Sequence, residues 1–466
     1  MNTPFEDPFE TPWQVPKIEE LAVEGKPIYF DVDDFEIIID HYIIKDDYNK
    51  AMQVVEYAVR LHPSSVNLVL KRAQLLATSN NEHKALDILN QVESIEPNNS
   101  DIYLTKGAIY SQLRNYEKAI EEYNKAVHDS EEPDYVYCSI AFEYENMGNY
   151  DKTLEYLSKA LDVNPENELA IHEAAYCFDV LSWTEESIRF FRKLIDRNPY
   201  SVEAWFNLGV AYINAELYEK GIEALDYALA IDPEHNAAWF HLGYAYSLTS
   251  EFNQAINAYE ASLEGNESDA MKFYYIGEAY EKLEDYANAK KHYIKSTDIN
   301  PEFSDAWVGI GICEQETGNL LLAIEYFQRG LDFDPENISY LATLAEAHLY
   351  NNDIENAIIH FNKAIELSPD DVELRLDFAE SLAEKKEFEK AADLLNTILE
   401  NACDNASVYY YMAAFMFLQG KSKQAMYFLE EGLDIDFYKH EIIFEHYPQL
   451  KTNIDLLRAI EIFRKL

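Results

Sequence analysis

Hydrophobic and polar positions follow one another along most of this chain with helical spacing, and the whole pattern returns every 34 residues. In each period, apolar residues recur three and four apart in two successive stretches, which predicts two amphipathic helices, A and B. Short polar stretches such as MGNYDK and LEDYANA separate A from B and predict tight turns. Twelve periods follow one another without insertion from Val32 to Lys439.

Proline marks the end of the period. It holds the thirty-second position in eight of the twelve periods, and Glu131, Glu267, Cys403 and Phe437 hold that position in the other four. Since proline cannot continue a helix, we expect it to end helix B and to set the entry of the next helix A. The eight prolines are Pro63, Pro97, Pro165, Pro199, Pro233, Pro301, Pro335 and Pro369.

Small residues recur at two fixed positions of the period. The eighth position is Gly or Ala in eleven periods, and the twentieth is small in every period except at Thr153. Tyr or Phe holds the eleventh position in seven periods, and large apolar residues usually hold the fourth and twenty-fourth. Small side chains at the eighth and twentieth positions allow A and B to approach closely, and the eleventh covers the edge of their contact. Each pair alone leaves an apolar face open, so neighbouring pairs must stack to bury it.

These positions resemble the tetratricopeptide repeat, and the resemblance covers nearly nine-tenths of the chain. It implies an all-α fold, a right-handed α-solenoid (superhelix) of antiparallel helix pairs. We therefore expect a Pro-rich acidic N-terminal arm over residues 1–31, twelve repeats over 32–439, and a C-terminal capping region over 440–466.

The N-terminal stretch PFEDPFETPWQVP carries a proline at every fourth residue, which argues against a regular helix and predicts an extended or partly disordered arm. Two roles remain open for its large apolar side chains Phe5, Phe9 and Trp13. The arm is either a strap that packs on the first repeat, or a docking peptide for a partner or a second copy of the chain.

The C-terminal stretch predicts one more amphipathic helix. Ile454, Leu457, Ile460 and Phe463 have helical spacing. A solenoid needs a terminal element that covers its last apolar face, so we expect a capping helix, with self-association through this helix as the alternative.

Charge narrows the classes of partner. The chain has 37 basic and 86 acidic residues, a formal charge of −49. Because like charges repel, we expect the chain to bind neither nucleic acids nor anionic membrane surfaces. The charge favours protein partners with exposed Lys and Arg. The alternative interpretation is that the acidic surface only keeps a long solenoid soluble.

Several features favour a cytoplasmic protein. No run of eighteen apolar residues and no signal-peptide pattern occurs in the sequence. The four cysteines form no CxxC pair, which is typical of reduced, partly buried thiols.

The sequence contains partial matches to two motifs, and neither is complete. HEAAY lacks the second histidine of the zinc-protease pattern HExxH, and GIGICE lies inside a predicted helix without a preceding strand. We expect no enzymatic activity, no metal and no cofactor, so function must reside on the surfaces of the repeats.

In the tetratricopeptide repeat family, positions 2, 5, 9 and 12 of helix A face the concave groove, with position 6 at its edge. On this resemblance, the groove is aromatic and acidic, and Lys71 is the only basic residue at these positions. Tyr410 and Tyr411 form a second aromatic cluster near the end. The candidate partner-binding residues are Tyr135, Phe142, Glu145, His172, Tyr176, Glu203, Phe206, Phe240, His241, Tyr244, Tyr274, Tyr275, Glu278, Glu281 and Asp305.

Aromatic faces beside carboxylates suit a protein or peptide segment with Lys, Arg and apolar side chains, because cations gain ion pairing and cation–π contacts there. The competing interpretation is that several of these aromatics fill the packing between A helices of adjacent repeats. We predict a non-enzymatic scaffold or adaptor. The alternatives are a self-assembling structural solenoid, and a regulatory accessory subunit of an enzyme or of a secretion or assembly complex.

Overall fold

The computed structural model describes residues 11–23, 29–263, 269–399 and 404–464. Within these ranges the secondary structure is helical and contains no strand, which confirms the predicted all-α class. Phe5 and Phe9 of the arm, and Glu267 and Cys403 of the 34-residue frame, lie outside the described residues.

The helices keep the 34-residue period. Helix A begins at the first position of every period except the fourth, where it begins one residue earlier, and helix B begins at the seventeenth position throughout. The A helices are Val32–Ile44 (α2), Val66–Thr78 (α4), Ser100–Gln112 (α6), Pro133–Asn146 (α8), Glu168–Val180 (α10), Val202–Asn214 (α12), Asn236–Leu248 (α14), Ala270–Lys282 (α16), Ser304–Glu316 (α18), Ile338–Tyr350 (α20), Val372–Glu384 (α22) and Ala406–Leu418 (α24). The B helices are Tyr48–Leu61 (α3), Glu82–Glu93 (α5), Tyr116–Ala126 (α7), Tyr150–Val163 (α9), Thr184–Arg197 (α11), Tyr218–Ile231 (α13), Phe252–Ala261 (α15), Tyr286–Ile299 (α17), Leu320–Phe333 (α19), Ile354–Leu367 (α21), Phe388–Leu399 (α23) and Ser422–Ile435 (α25).

The chain forms two compact units, Met1–Glu234 and His235–Leu466. Each unit contains six helix pairs, and within each unit helix A packs on its own helix B while B packs on the next A. Each unit is thus an α-solenoid of antiparallel pairs, as the sequence predicts.

The turn from A to B has one backbone feature in common. The fifteenth residue of every period has a positive φ, which ends helix A in the left-handed conformation. Glycine provides it at Gly148, Gly318 and Gly420. Nine non-glycine residues also adopt it, Asn and Asp at low cost and the others against their intrinsic preference: Asp46, Asn80, Arg114, Ser182, Glu216, Ser250, Glu284, Asn352 and Lys386.

The small residue at position 8 lies under the large residue at position 24 of the same pair. A Cβ atom added to Gly277 would lie 2.7 Å from the ring of Tyr293, and one added to Gly243 would lie 2.6 Å from the ring of Tyr259. Each glycine therefore makes room for a ring that is almost completely buried. This confirms that small residues allow A and B to approach closely.

In four repeats, the residue at position 4 forms a hydrogen bond with the turn that precedes its helix A. Tyr103, Trp205, Trp307 and Arg375 each donate a side-chain hydrogen bond to a proline carbonyl oxygen six residues earlier, at position 32. The donor–acceptor distances for Tyr103 and Trp307 are 2.7 and 2.8 Å. The sequence pattern identifies position 4 as apolar, whereas the structure adds this donor role.

The prediction that the N-terminal arm lacks a regular helix is wrong for Gln14–Val23, which forms helix α1. Pro16 lies in the first turn, where the backbone N–H that proline lacks would have no partner within the helix. The helix is therefore compatible with the proline spacing, because only this one proline falls within it.

Helix α1 packs on the first helix pair. Val15 and Ile18 are buried in one apolar cluster with Phe35 and Ile38 of α2. The hydroxyl of Tyr42 donates to Glu19 over 3.0 Å. Val15 and Ile18 therefore pack on the first repeat as a strap would, whereas Trp13, one of the three large apolar side chains of the arm, is 65% exposed.

The C-terminal segment packs on α24 and α25 through Ile443, Leu450, Leu456 and Ala459, which are buried in the same apolar cluster as these two helices. Its elements are the 3-10 turn Phe437–Glu441, helix Ile442–His446 (α26), the 3-10 turn Pro448–Thr452 and helix Ile454–Phe463 (α27).

The predicted apolar face of α27 is partly wrong. Ile454 and Leu457 are 66% and 43% exposed, whereas Leu456 is fully buried. Ile460 and Phe463 are partly buried against the cluster, as predicted. The sequence spacing predicts that α27 is a helix. The orientation of the turns before α27 determines which side of that helix packs on α25.

Candidate functional site

Four predicted groove residues of the second unit form one aromatic cluster. Tyr275 of α16 contacts Phe240 and Tyr244 of α14, with ring centroids 5.4 and 6.2 Å apart. Tyr274 lies beside Tyr275, with centroids 5.4 Å apart. All four rings are partly buried. Each ring therefore packs between neighbouring A helices and also has a solvent-facing part. These aromatics can both fill the packing between repeats and contact a partner.

Two rings from helices B lie beneath this cluster, and the groove positions of helix A do not include them. Tyr259 stacks on Tyr275 with centroids 5.7 Å apart, and Tyr293 contacts Tyr274 at 5.6 Å. Tyr259 and Tyr293 hold the twenty-fourth position of their repeats, opposite Gly243 and Gly277 respectively, and the sequence pattern already marks that position as large. The frame could therefore have indicated this second layer.

Carboxylates border the cluster. Burial raises the pKa of Glu278, and the negative charges of Glu281 and Asp305 raise it further, while Lys282 opposes the shift. Burial also raises the pKa of Glu281. The carboxylates of Glu278, Asp305 and Glu281 contribute, after burial, to the raised pKa of Tyr274. Negative charge thus accumulates beside the rings.

Two tyrosine hydroxyls hold these carboxylates in place. Tyr293 donates to Oε2 of Glu281 over 2.8 Å, and Tyr340 donates to Oδ1 of Asp305. Tyr340 is itself buried, although Asp305 is exposed. The second tyrosine comes from α20, one pair further along, so spacing within a single helix could not have identified it.

His241 lies at the edge of the cluster, with its ring centroid 5.7 Å from that of Phe240. Burial lowers the pKa of His241, and nearby His235 lowers it further. The imidazole is therefore held in its neutral form more strongly than an exposed histidine would be.

The predicted residues of the first unit are more dispersed. Nε2 of His172 lies 3.8 Å from a carboxylate oxygen of Glu203. Burial raises the pKa of Glu145, and Glu145 in turn contributes to the raised pKa of Glu173. Tyr135 and Tyr176 are each 51% exposed. Phe142 packs against the apolar core of this unit, and Phe206 is partly buried.

The predicted second cluster at Tyr410 and Tyr411 is not an open surface. Tyr410 is fully buried, and its hydroxyl donates to the carbonyl oxygen of Asp436 over 2.7 Å. Tyr411 packs on the rings of His446 and Tyr447. The end of α25 thus covers Tyr410 and the C-terminal segment covers Tyr411, which a frame that treats all repeats alike does not anticipate.

The surface of the second unit can stabilise a positive charge. Partly buried carboxylates with raised pKa values gain most when a cation approaches, because the cation offsets both their desolvation and their mutual repulsion. The adjacent tyrosine faces add cation–π attraction and apolar contact area.

Stacked antiparallel helix pairs on a fixed period define the class of helical repeat proteins. Models described as "Tetratricopeptide repeat" match residues 100–127, 135–167, 202–235, 237–269, 274–338 and 348–414, together more than half of the chain. The chain therefore belongs to the tetratricopeptide repeat (TPR) family. None of the helices in the described ranges combines the length and apolar character needed to cross a bilayer.

Several solved structures are similar to parts or most of the chain. YrrB, titled a TPR protein with an unusual peptide-binding site, is 23% identical with a TM-score of 0.35, over 42% of this chain and 97% of YrrB. MamA (41-end) from Desulfovibrio magneticus RS-1 is 20% identical with a TM-score of 0.35, over 37% of this chain and 97% of MamA. The APC/C hetero-tetramer Cut9–Hcn1 is 14% identical with a TM-score of 0.39, over 97% of this chain and 92% of that one. These likenesses carry no argument about partners. No curated protein matches the chain.

Proposed function

We propose that this protein is a non-enzymatic, cytoplasmic scaffold or adaptor that binds a protein segment rich in Lys, Arg and apolar side chains. Family membership supports protein interaction in general terms. The observation that carries the finer proposal is the pair Glu278 and Glu281, two partly buried carboxylates with raised pKa values beside Tyr274 and Tyr275.

The proposed mechanism has three parts. The net charge of −49 attracts basic segments at long range, which raises the association rate at low salt. Lys or Arg side chains of the partner then form ion pairs with Glu278 and Glu281, which offset the hydration that these carboxylates lose through burial. Apolar side chains of the partner cover the exposed edges of Tyr244, Tyr274 and Tyr275. We propose that Tyr135, Tyr176 and the His172–Glu203 pair of the first unit bind further parts of the same kind of segment.

The test uses two synthetic peptides of equal length, one in which Lys and Arg alternate with Leu and Phe, and one with Glu at the basic positions. We expect the basic peptide to bind and the acidic peptide not to bind. Glu278→Gln/Glu281→Gln should weaken binding at least about tenfold and flatten its salt dependence.

The matched control, Asp298→Asn/Glu302→Gln, removes the same charge from exposed positions at the end of α17 and beyond it. It should change affinity much less. If both double variants lose the same affinity for the basic peptide, only the net charge matters for binding. If Glu278→Gln/Glu281→Gln binds the peptide as tightly as the unchanged protein, this surface is not the binding site. Self-association, the alternative, predicts a particle size that rises with concentration in light scattering.

A further inference from the structure

A cavity of about 380 Å³ lies between α10, α11 and α12 in the first unit. Its rim includes Asp179, Ser182 and Asn214, which are exposed. Its inner wall includes Ser187 and Phe191, which are buried. The cavity therefore opens to solvent on one side and reaches the interior on the other. Pockets for small ligands typically measure about 300–1,000 Å³, so this cavity has room for a small chemical group.

The cavity lies where α10 and α11 pack loosely against each other. In the described part of the chain, these two helices pack less closely than the helices of any other pair. Phe178, Phe190 and Phe191 pack against one another where α10 faces α11, with ring centroids 5.3 to 6.2 Å apart. Phe191 lies at the twenty-fourth position, and the eighth position of this pair is Ala175. The three rings occupy one part of the helix interface and leave the other part open.

The lining combines one negative charge with several polar groups that have no hydrogen-bond partner. Asp179 is the one charged side chain among the described residues that line the cavity. Within the described ranges, its carboxylate and the side chains of Ser182, Thr184, Ser187 and Asn214 make no hydrogen bond. A further polar side chain, that of Asn207, is more than nine-tenths buried and donates to the carbonyl oxygen of Glu203 over 2.8 Å.

The apolar part of the lining lies next to these groups. Phe178, Phe191, Val210 and Ala211 form a wall that methylene groups could contact. Charge excludes an anionic ligand, because Asp179 lies at the rim and Glu185 follows in the first turn of α11.

We propose that this cavity binds a guanidinium or primary ammonium group carried on a short apolar stem. The cation pairs with the carboxylate of Asp179, and its N–H groups donate to the hydroxyl oxygens of Ser182, Thr184 and Ser187. The stem lies against Phe178 and Phe191. This site does not depend on the aromatic–acidic surface of the second unit, since none of its residues belongs to that surface.

Such a group can come from a free amine or from an Arg or Lys side chain of a protein segment. The probes are therefore n-butylguanidinium, a blocked pentapeptide with a single Arg among Gly and Ser, and n-butylurea as the neutral isostere of the first. Binding to the full chain is measured by titration calorimetry and by the shift of the unfolding midpoint.

Three variants accompany the probes. Asp179→Asn removes the charge with little change in shape. Glu168→Gln removes a charge from the first turn of the same helix, far from the rim, and is the matched control. Ser187→Leu fills the inner part of the cavity and keeps the charge, provided that circular dichroism shows the chain is folded.

We expect n-butylguanidinium or the Arg peptide to bind, with affinity reduced at least about tenfold by Asp179→Asn and little changed by Glu168→Gln. Ser187→Leu should also weaken binding. A stronger response to the peptide would identify a protein segment as the source, and a stronger response to the free cation would identify a small molecule. Equal binding of n-butylurea, unchanged affinity in Asp179→Asn, or no binding of either cation at millimolar concentration would overturn the proposal.

Discussion

The hydroxyl of Tyr293 donates to the carboxylate of Glu281 over 2.8 Å, and this bond joins helix B to helix A beneath the aromatic cluster. The ring of Tyr293 is almost completely buried and fills the space above Gly277. One side chain therefore both packs the helix pair and orients a carboxylate of the proposed binding surface.

Tyr293→Phe should lower the free energy of unfolding by about 1–2 kcal/mol, because it removes a hydrogen bond to a charged group and keeps the packing of the ring. Urea denaturation would measure the change. Tyr280→Phe is the control, since the Tyr280 hydroxyl makes no hydrogen bond within the described ranges. An equal loss in both variants would contradict this role of the bond.

Glu278 should make stability depend on pH. Its folded pKa lies above the ordinary value of 4.5, mainly because of burial, so the folded state binds protons more readily than the unfolded state. Its contribution to stability is present below that ordinary value and is lost as pH rises through the raised pKa. Glu278→Gln should therefore stabilise the protein at neutral pH, and the gain should shrink on acidification towards 4.5. A gain independent of pH in urea titrations would argue against this linkage.

Gly311 should tolerate alanine poorly, because the added Cβ would lie 2.5 Å from the ring of Phe327. Gly311→Ala should cost about 1–3 kcal/mol in the free energy of unfolding. The cost should fall when Phe327→Leu is present, since Ala141 at the same position packs in one cluster with Leu157. A thermodynamic cycle of the two single variants and the double variant measures this coupling, and strict additivity would contradict it.

The bond from Tyr103 to the carbonyl oxygen of Pro97 can be removed by deleting one atom. Tyr103→Phe should destabilise the protein by about 0.5–1.5 kcal/mol. Tyr110→Phe is the matched control, because Tyr110 lies on the same helix and its hydroxyl makes no hydrogen bond within the described ranges. Chemical denaturation of both variants separates the hydrogen bond from the general effect of losing a hydroxyl.

The left-handed residue of the A–B turn gives a paired prediction. No atom lies within 4 Å of a Cβ added to Gly148, so Gly148→Ala changes only the backbone preference and should cost about 1 kcal/mol. Gly148→Asn should cost less, because Asn tolerates this conformation. Conversely, Arg114→Gly should stabilise the protein by about 0.5 kcal/mol. Glycine removes the steric cost of the left-handed conformation at this residue, and this relief exceeds the extra backbone entropy that glycine loses on folding. Thermal unfolding of the three variants would test this order.

Much of the fold could be predicted because each rule is local. Proline at position 32, a small residue at position 8 and apolar spacing within each half identify the helix pairs and their 34-residue register. The same rules failed at the ends, where the repeat stops. A helix forms around Pro16 because only one proline falls in its first turn, and Leu456 replaces Leu457 in the core because the preceding turns orient α27.

By itself, the sequence determined the class of fold, the period and the acidic character of the chain, because these depend on spacing and composition. Only the tertiary structure decided which side chains meet. Tyr340 reaches Asp305 from the next helix pair, the C-terminal segment covers Tyr411, and Phe178 and Phe191 line a cavity beside Asp179. Such contacts depend on how neighbouring helices pack, and a 34-residue frame that treats every repeat alike contains no information about those differences.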